Sequence, residues 1–399
     1  MKRFIFSVIA LIMAATSCTE SGLIDMPEFY QNPIVFDTYI GKTPVTKAVN
    51  CDIEQLLAED EGVRIYGFKA DKVTGRPYDY VDYSSAYLNG RLICTNLEAA
   101  TKKDEPESPV WQYQYATVTT NNGAELTTWT PDEPYMPTDK DLAVVAYNLK
   151  AAGKVGNNPG VPYMTNISTD KTQFDFTVFD DVASQLDLVV TPLTFVTETG
   201  ETTQVPLRFY HVLSRVGFKV QSSSDSDTKI YISSIKLKGQ FAKKGSVDMK
   251  LAIATPNSST NSESNIVLKD NIRPKITPIT TGASPYQTEY ELLPGEDNIF
   301  ETDADECYET AQQISTAGNN CYMMIMPGIQ ENASVEITYK LGDSDPRPVT
   351  IDLDALNDIN YFEAGSAYEF IFKLSTSAIE FSANIVEGGW DEQTPNPIN

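Results

Sequence analysis

The sequence is poorest in histidine, with His211 the only one among 399 residues. A zinc site with two or more histidine ligands is therefore excluded, and any serine or cysteine nucleophile that needs an imidazole base must use that residue. Basic residues are also scarce, because 30 lysines and arginines stand against 55 acidic residues, a formal net charge of −25. Binding to nucleic acid and broad docking on anionic lipid both need positive surface. We therefore expect no nucleic-acid partner.

The motifs of several enzyme classes are missing as well. The sequence has no glycine-rich phosphate loop, no dinucleotide fingerprint, no nucleophile elbow and no Cys-x-x-Cys pair. His211 lies on the apolar face of the alternating segment 207–213, where a histidine at the edge of a core is commoner than a catalytic base. The acidic run 303–306 lacks the ligand spacing and the glycine of a calcium loop. These observations predict no enzyme, no cofactor and no metal site.

Long apolar runs are absent except near the start. Lys2 and Arg3 precede an apolar run over residues 4–15, which is too short to span a bilayer and is typical of a signal peptide. The run ends in Ala-Thr-Ser followed by Cys18, which resembles the lipobox of bacterial lipoproteins. The alternative is an ordinary secretory signal with a chance cysteine. We expect residues 1–17 to be a signal peptide, Cys18 to carry a lipid and residues 18–32 to form a polar tether.

Four further cysteines permit three complete pairings, which the sequence does not rank: Cys51, Cys94, Cys307 and Cys321. Cys307 and Cys321 flank one loop and form a candidate disulfide in an oxidising envelope. Cys94 alternates with apolar residues in a strand pattern and is predicted to be a small buried side chain.

Alternation with a period of two dominates the rest of the chain. Successive side chains of a strand point to opposite faces, so such segments predict strands with one face in a core. The clearest are residues 63–68, 174–178, 335–341, 368–374 and 379–385. The runs 142–147 and 186–190 are apolar on both faces and predict central strands. Helical signals are confined to residues 52–59 and 354–359.

The alternation changes parity at two places. Apolar residues shift from odd to even numbers near Ser214 and Arg215, and from even to odd near Ser233 and Ser234. One extra residue at each place would keep the flanking segments facing the same core. We therefore predict a β-bulge at each place.

Many short strands separated by turn residues predict an all-β fold of the sandwich type. The polar run 197–204 lies near the middle of the chain and is a candidate domain boundary. We expect an N-terminal β-sandwich domain over residues 33–200 and a C-terminal one over residues 201–399. The stretch 253–285 is rich in Ser, Thr, Asn and Pro, and this composition predicts a long loop that extends from the second domain.

Segments that follow one another along most of the chain resemble those of the fimbrillin family, the subunits of type V pili in Bacteroidales. The strongest match is residues 205–220, with the motif Phe-Tyr-His-Val-Leu-Ser-Arg. The others include residues 34–40, the tripeptide Thr46-Lys47-Ala48, residues 129–131 and the stretch 379–390.

This resemblance implies two transthyretin-like β-sandwich domains, no enzymatic activity and assembly with other pilus subunits by donor-strand exchange. A trypsin-like protease would remove the first strand by cutting between Lys47 and Ala48, where the family more often has arginine. An extended strand of the next subunit would then fill the groove, and the candidate donor is 379–390. The resemblance also implies export as a lipoprotein, a lipid anchor in the outer membrane and a ligand on a host or bacterial surface.

Two other functions stay open at this point. Tyrosine and tryptophan residues are also consistent with a surface lipoprotein that binds glycans and does not polymerise, which predicts an exposed aromatic platform. The 55 acidic residues also permit a glycosidase, which predicts two carboxylates about 5–10 Å apart in one cleft.

Overall fold

The structure is a computed structural model, and it describes residues 34–40, 63–71, 81–95, 113–121, 124–130, 135–148, 154–155, 160–198, 203–250, 274–293, 299–315, 322–330, 332–353, 361–375, 379–386 and 396–397. Its regular elements are β-strands, apart from a short 3-10 helix at Val182–Ser184. The prediction of an all-β fold is confirmed. Among these residues no helix is long and apolar enough to cross a membrane.

The described residues form 28 strands. The first thirteen are β1 Ile34–Ile40, β2 Val63–Asp71, β3 Val81–Thr95, β4 Tyr113–Asn121, β5 Ala124–Thr130, β6 Lys140–Asn148, β7 Lys154–Val155, β8 Val161–Pro162, β9 Met164–Thr165, β10 Gln173–Thr177, β11 Val189–Val190, β12 Thr194–Val196 and β13 Thr203–His211. The others are β14 Ser214–Ser222, β15 Lys229–Ala242, β16 Lys244–Asp248, β17 Lys275–Pro278, β18 Tyr286–Glu291, β19 Phe300–Asp303, β20 Gln312–Gln313, β21 Tyr322–Ile325, β22 Gly328–Ile329, β23 Ser334–Leu341, β24 Arg347–Asp352, β25 Tyr361–Phe362, β26 Ala367–Leu374, β27 Ile379–Val386 and β28 Asn396–Pro397.

A nine-stranded sheet holds most of the first half of the chain. Its order is β1-β13-β11-β6-β2-β3-β4-β5, with β12 also beside β6. β6 lies inside this sheet, and its residues from Leu142 to Asn148 are all buried. β11 lies between β13 and β6. Both doubly apolar runs therefore supply central strands, as their composition predicts.

Two further sheets hold most of the second half. One has the order β20-β14-β26-β27-β28 with β21 beside β14, and the other has the order β18-β15-β23-β24 with β19 beside β15. Strands β23 and β26 each bury every second residue, as their alternation predicts. The buried side chains of Phe218, Ile235, Ile337 and Phe370 belong to one apolar cluster between them.

A four-stranded sheet joins the two halves of the sequence. Its order is β17-β16-β10-β9, so that β10 from the first half pairs with β16 from the second, with Gln173 opposite Asp248. One cluster of buried residues extends from Tyr66 and Phe174 to Phe370. The division of the chain at residues 200 and 201 stays a prediction. β13, which follows it, pairs with β1 and β11.

An ion pair lies just beyond the end of β16, beside this shared sheet. Lys250 forms a hydrogen-bonded ion pair with Asp170, whose carboxylate also accepts hydrogen bonds from Ser168 and Thr172. Partial burial acts to raise the pKa of Asp170, but these hydrogen bonds outweigh it and lower the pKa to about 2. Burial, helped by the charge of Asp170, raises the pKa of Tyr83 to about 12.

The two predicted bulges have different outcomes. The register of β15 against β23 shifts between Ile232 and Ser234, so the bulge near Ser233 is confirmed. The bulge near Ser214 is wrong. There the chain leaves the nine-stranded sheet at His211 and enters another sheet at Ser214, so the apolar faces on either side belong to different sheets. The predicted helices at 52–59 and 354–359 lie outside the described residues.

Candidate functional site

The candidate site is the edge strand β1 and the strand that it covers, β13. The two strands are parallel, from Ile34 opposite Thr203 to Ile40 opposite Phe209. Within the described residues β1 is the outermost strand of its sheet, and β13 is its neighbour. The first strand that the family resemblance implies at residues 34–40 thus has the same bounds in the structure, which adds its partner and direction.

The side of β13 that β1 covers is here called the acceptor edge, residues 203–209. Three of its apolar side chains, Val205, Leu207 and Phe209, are fully buried, and Pro206 between them is exposed. They form a second apolar cluster together with Ile34, which is only 1% exposed. A strand that binds at this edge therefore adds apolar side chains to a core and also forms a hydrogen-bonded ladder with β13.

His211 ends β13 and forms a buried polar contact. Its Nδ1 atom lies 2.7 Å from Oδ2 of Asp187, and the two side chains are 3% and 10% exposed. The amide of Asn148 donates a hydrogen bond to the carbonyl oxygen of Asp187 (2.9 Å) and accepts one from the N–H of Val189 (3.3 Å). The alternation predicts a histidine at the edge of a core. In the structure this histidine belongs to a hydrogen-bonded link between β13, β11 and β6.

The motif that contains His211 continues across the change of sheet. The hydroxyl of Ser214 donates a hydrogen bond to the carbonyl oxygen of Glu363 (2.7 Å). The backbone N–H of Arg215 donates one to the carbonyl oxygen of Ser366 (3.0 Å). The guanidinium of Arg215 lies 4.3 Å from the centre of the Tyr322 ring. The motif therefore ends the acceptor edge and starts the next sheet.

The candidate donor segment, 379–390, begins with an ordinary sheet strand. β27 pairs with β26 along its whole length, starting with Ile379 opposite Leu374. The ring of Phe381 stacks on that of Phe370, with 5.4 Å between ring centres. Residues 379–386 are therefore built into their own sheet, and residues 387–390 lie outside the described residues.

Most predicted site residues lie outside the described residues: Cys18, Lys47, Ala48 and Cys321. Cys307 is described and is buried, with its Sγ 3.7 Å from the carbonyl oxygen of Ala304. Burial raises the pKa of this thiol. The disulfide between Cys307 and Cys321 stays a prediction.

The acidic run 303–306 forms a turn that satisfies its own polar groups. The N–H of Glu306 donates to the carboxylate of Asp305 (2.9 Å), and the carboxylate of Glu306 accepts from Thr302 (3.2 Å). Across the described part of the chain, no group of three or more His, Cys, Asp and Glu side chains could hold a metal ion.

The exposed tyrosines of the described residues are Tyr87, Tyr308 and Tyr361, with 36–50% of their surface accessible. They lie on β3, in the loop after β19 and on β25. The side chains of the three tryptophans lie outside the described residues. The aromatic platform expected of a glycan-binding protein therefore has no support in this part of the chain.

Asp187 and Asn148 were not singled out in the sequence. Asp187 is the acidic residue within the apolar run 186–190, and a carboxylate in such a run needs a polar partner when it is buried. The single histidine of the chain, also on an apolar face, is the natural candidate. This signal could have identified the pair but not the place where the strands meet.

Comparisons with known proteins found one family and several solved structures to which the chain is similar. The sequence model of a family described as fimbrillin-like matches residues 94–387. A search of curated proteins found no match. A fimbrial protein from Bacteroides vulgatus has a similar structure, with a TM-score of 0.47 and 16% identity over 90% of this chain and 99% of that one. The tip fimbrial protein Mfa3 from Porphyromonas gingivalis, with a C-terminal truncation, gives a TM-score of 0.34 and 10% identity over 82% and 93%.

Proposed function

Because the chain belongs to the fimbrillin-like family, we propose that it is a structural or adhesive subunit of a type V pilus, assembled by protease-triggered donor-strand exchange. The observation that carries this proposal is the position of β1 at the edge of its sheet, over a buried apolar edge of β13. An edge strand can leave without disturbing the order of the remaining strands. Another extended strand can then take its place by β-augmentation.

Removal of β1 would leave an edge that is unstable in water. Val205, Leu207 and Phe209, which are fully buried, would lose part of their cover. The backbone groups that pair with β1 along residues 203–209 would lose their partners. Both losses are reversed when a new strand binds, which supplies the driving force for assembly.

Cleavage between Lys47 and Ala48 is the proposed trigger. These residues follow β1 after the segment Gly-Lys-Thr-Pro at 41–44, whose glycine and proline favour a turn. A cut there separates β1 from the rest of the sheet while leaving every later strand in one chain.

The donor is proposed to be residues 387–399, whose release would break only the two-position pairing of β28 with β27, Asn384 opposite Pro397 and Ile385 opposite Asn396. The pairing of β27 with β26 and the stacking of Phe381 speak against residues 379–386, because their release would break a complete ladder in their own sheet. The part of the original donor candidate that lies within β27 is therefore not proposed as a donor.

The proposal includes export as a lipoprotein, with Cys18 as the lipid-bearing residue and the outer membrane as the site of anchoring. Several acyl chains give stable membrane binding, whereas one gives marginal binding. The partners are other pilus subunits and a ligand on a host or bacterial surface. The proposed role is structural rather than enzymatic.

Limited trypsin treatment of the mature chain tests this function. We expect a cut after Lys47, followed by ladders of oligomers that resist SDS. Trypsin can also cut after Lys42, five residues earlier, so both variants carry Lys42→Gln. The double variant Lys42→Gln/Lys47→Gln should lose both the cut and the ladders, whereas Lys42→Gln alone should leave them unchanged.

Deletion of residues 388–399 should weaken the ladders if this segment is the donor. Cut protein that stays monomeric at high concentration would contradict polymerisation. Binding of that monomeric protein to a glycan array would then favour the non-polymerising lipoprotein.

A further inference from the structure

The strand pairing on the two sides of β13 differs greatly in length. It pairs with β1 at seven register positions, from Thr203 to Phe209. On the other side, within the described residues, its ladder with β11 covers two, with Tyr210 opposite Val190 and His211 opposite Val189. If β1 leaves, as the proposed function requires, β13 loses the longer of its two ladders.

Apolar burial alone does not fix where such a strand lies. Val205, Leu207 and Phe209 would still pack on the sheet, but apolar contacts are not directional. A slip of one residue turns every side chain of a strand to the opposite face. The acceptor edge therefore needs a directional contact that does not depend on β1.

The contact between His211 and Asp187 meets this requirement. It lies two residues beyond Phe209, past the last position that β1 covers. Its 2.7 Å distance and the burial of both side chains indicate a strong hydrogen bond, since the acceptor is a carboxylate. Asp187 is itself held through its carbonyl oxygen by Asn148, which belongs to the central strand β6.

We propose that His211 is a positioning residue for donor-strand exchange. Through Asp187 it holds β13 in register while the acceptor edge is empty, so that the edge is already formed when a donor strand arrives. The backbone hydrogen bond from Val212 to Leu188 (3.2 Å) adds to the same restraint. The inference rests on the proposed function, because it concerns the interval between loss of β1 and arrival of the donor.

The test compares the full chain with a strandless variant, in which residues 34–40 are replaced by alternating glycine and serine. His211→Phe, which keeps the size of the ring but lacks a hydrogen-bond donor, is introduced into both. Amide hydrogen exchange of residues 205–211 is the readout. We expect His211→Phe to raise the exchange rate about tenfold in the strandless variant, as for the loss of one hydrogen bond to a charged group, and less than about threefold in the full chain.

Three further variants separate positioning from general stability. His211→Asn keeps a donor near the position of Nδ1 and should restore slow exchange. Asp187→Asn should reproduce the selective effect of His211→Phe. Ser214→Ala is the matched control, because Ser214 is also buried and hydrogen-bonded (2.7 Å to Glu363) but lies in the next sheet. It should have the same effect with and without β1.

An equal effect of His211→Phe in both backgrounds would overturn the proposal, and so would unfolding of the strandless variant while His211 is present. A peptide of residues 387–399 tests the proposed function separately. If β13 stays protected in the strandless variant and the peptide does not bind, donor-strand exchange with this segment is wrong and the positioning role of His211 stands.

Discussion

Gly245 and Met326 lie so close together that a Cβ atom added to Gly245 would stand 2.6 Å from the sulfur of Met326. The same atom would lie 2.7 Å from Cγ1 of Ile276. Gly245 belongs to β16, the strand that pairs with β10. Met326 follows β21 in another sheet. Because position 245 has no side chain, the four-stranded sheet that contains β16 can pack closely against Met326.

Gly245→Ala should lower the free energy of unfolding by about 1–3 kcal/mol, because an extra methyl group in a packed core displaces its neighbours. Urea denaturation of the full chain measures this change. Ser246→Ala is the control, since Ser246 is exposed on the other face of the same strand. Equal midpoints for the two variants would show that the core at Gly245 adjusts without cost.

Asp170→Asn should destabilise the protein at neutral pH but not in strong acid. The pKa of Asp170 in the folded protein, about 2, lies below its usual 3.8. The charged carboxylate therefore adds stability above about pH 4, and this stability is lost as the pH falls towards 2. After allowance for partial exposure we expect a loss of about 1–2 kcal/mol at pH 7.

Urea titrations of this variant at pH 7 and pH 2 check the prediction. Asp345→Asn, at an exposed position, serves as the control and should have little effect at either pH. A loss for Asp170→Asn that is the same at both values would mean that the charge of Asp170 is not its source.

Two fragments test the boundary predicted at residues 200 and 201. A fragment of residues 201–399 keeps β13 but lacks its partners β1 and β11, and it keeps β16 but lacks β10. We expect residues 203–211 and 244–248 to exchange their amide protons faster in this fragment than in the full chain. A second fragment, residues 213–399, lacks β13 and should be as stable as the first, because β13 has no ladder partner in the first fragment.

Protection of residues 203–211 in the longer fragment would contradict this expectation and would support the predicted boundary. Thermal unfolding followed by circular dichroism compares the stability of both fragments with that of the full chain.

Alternation in the sequence predicted individual strands closely. Residues 335–341 and 368–374 each lie within a strand one residue longer, whereas the bounds of β1, residues 34–40, followed from the family resemblance. This success has a local cause, because one strand facing one core imposes a period of two on its own residues. The same reasoning located the bulge near Ser233.

Pairing between distant strands was not accessible to that reasoning. β1 lies beside β13, which is far away in the sequence, and nothing in residues 34–40 specifies that partner or the parallel direction. The parity change near Ser214 is compatible with a bulge and with a change of sheet, and the structure has the second. Asp187 was missed because its role depends on where His211 lies in space.

The end of β27 determines where the proposed donor starts. Val386 pairs with Ala367, and Ala367 pairs with Arg215, which immediately follows the first residue of β14. Neighbouring strands are about 5 Å apart, so the segment after Val386 starts roughly 10 Å from the place where β13 leads into β14. Once β28 has left β27, residues 387–399 can span about 43 Å when extended, enough to reach their own acceptor edge. If the tail is the donor, as proposed, a subunit that has lost β1 offers its own tail a binding site at a local concentration in the millimolar range, and self-closure then competes with the growth of a filament.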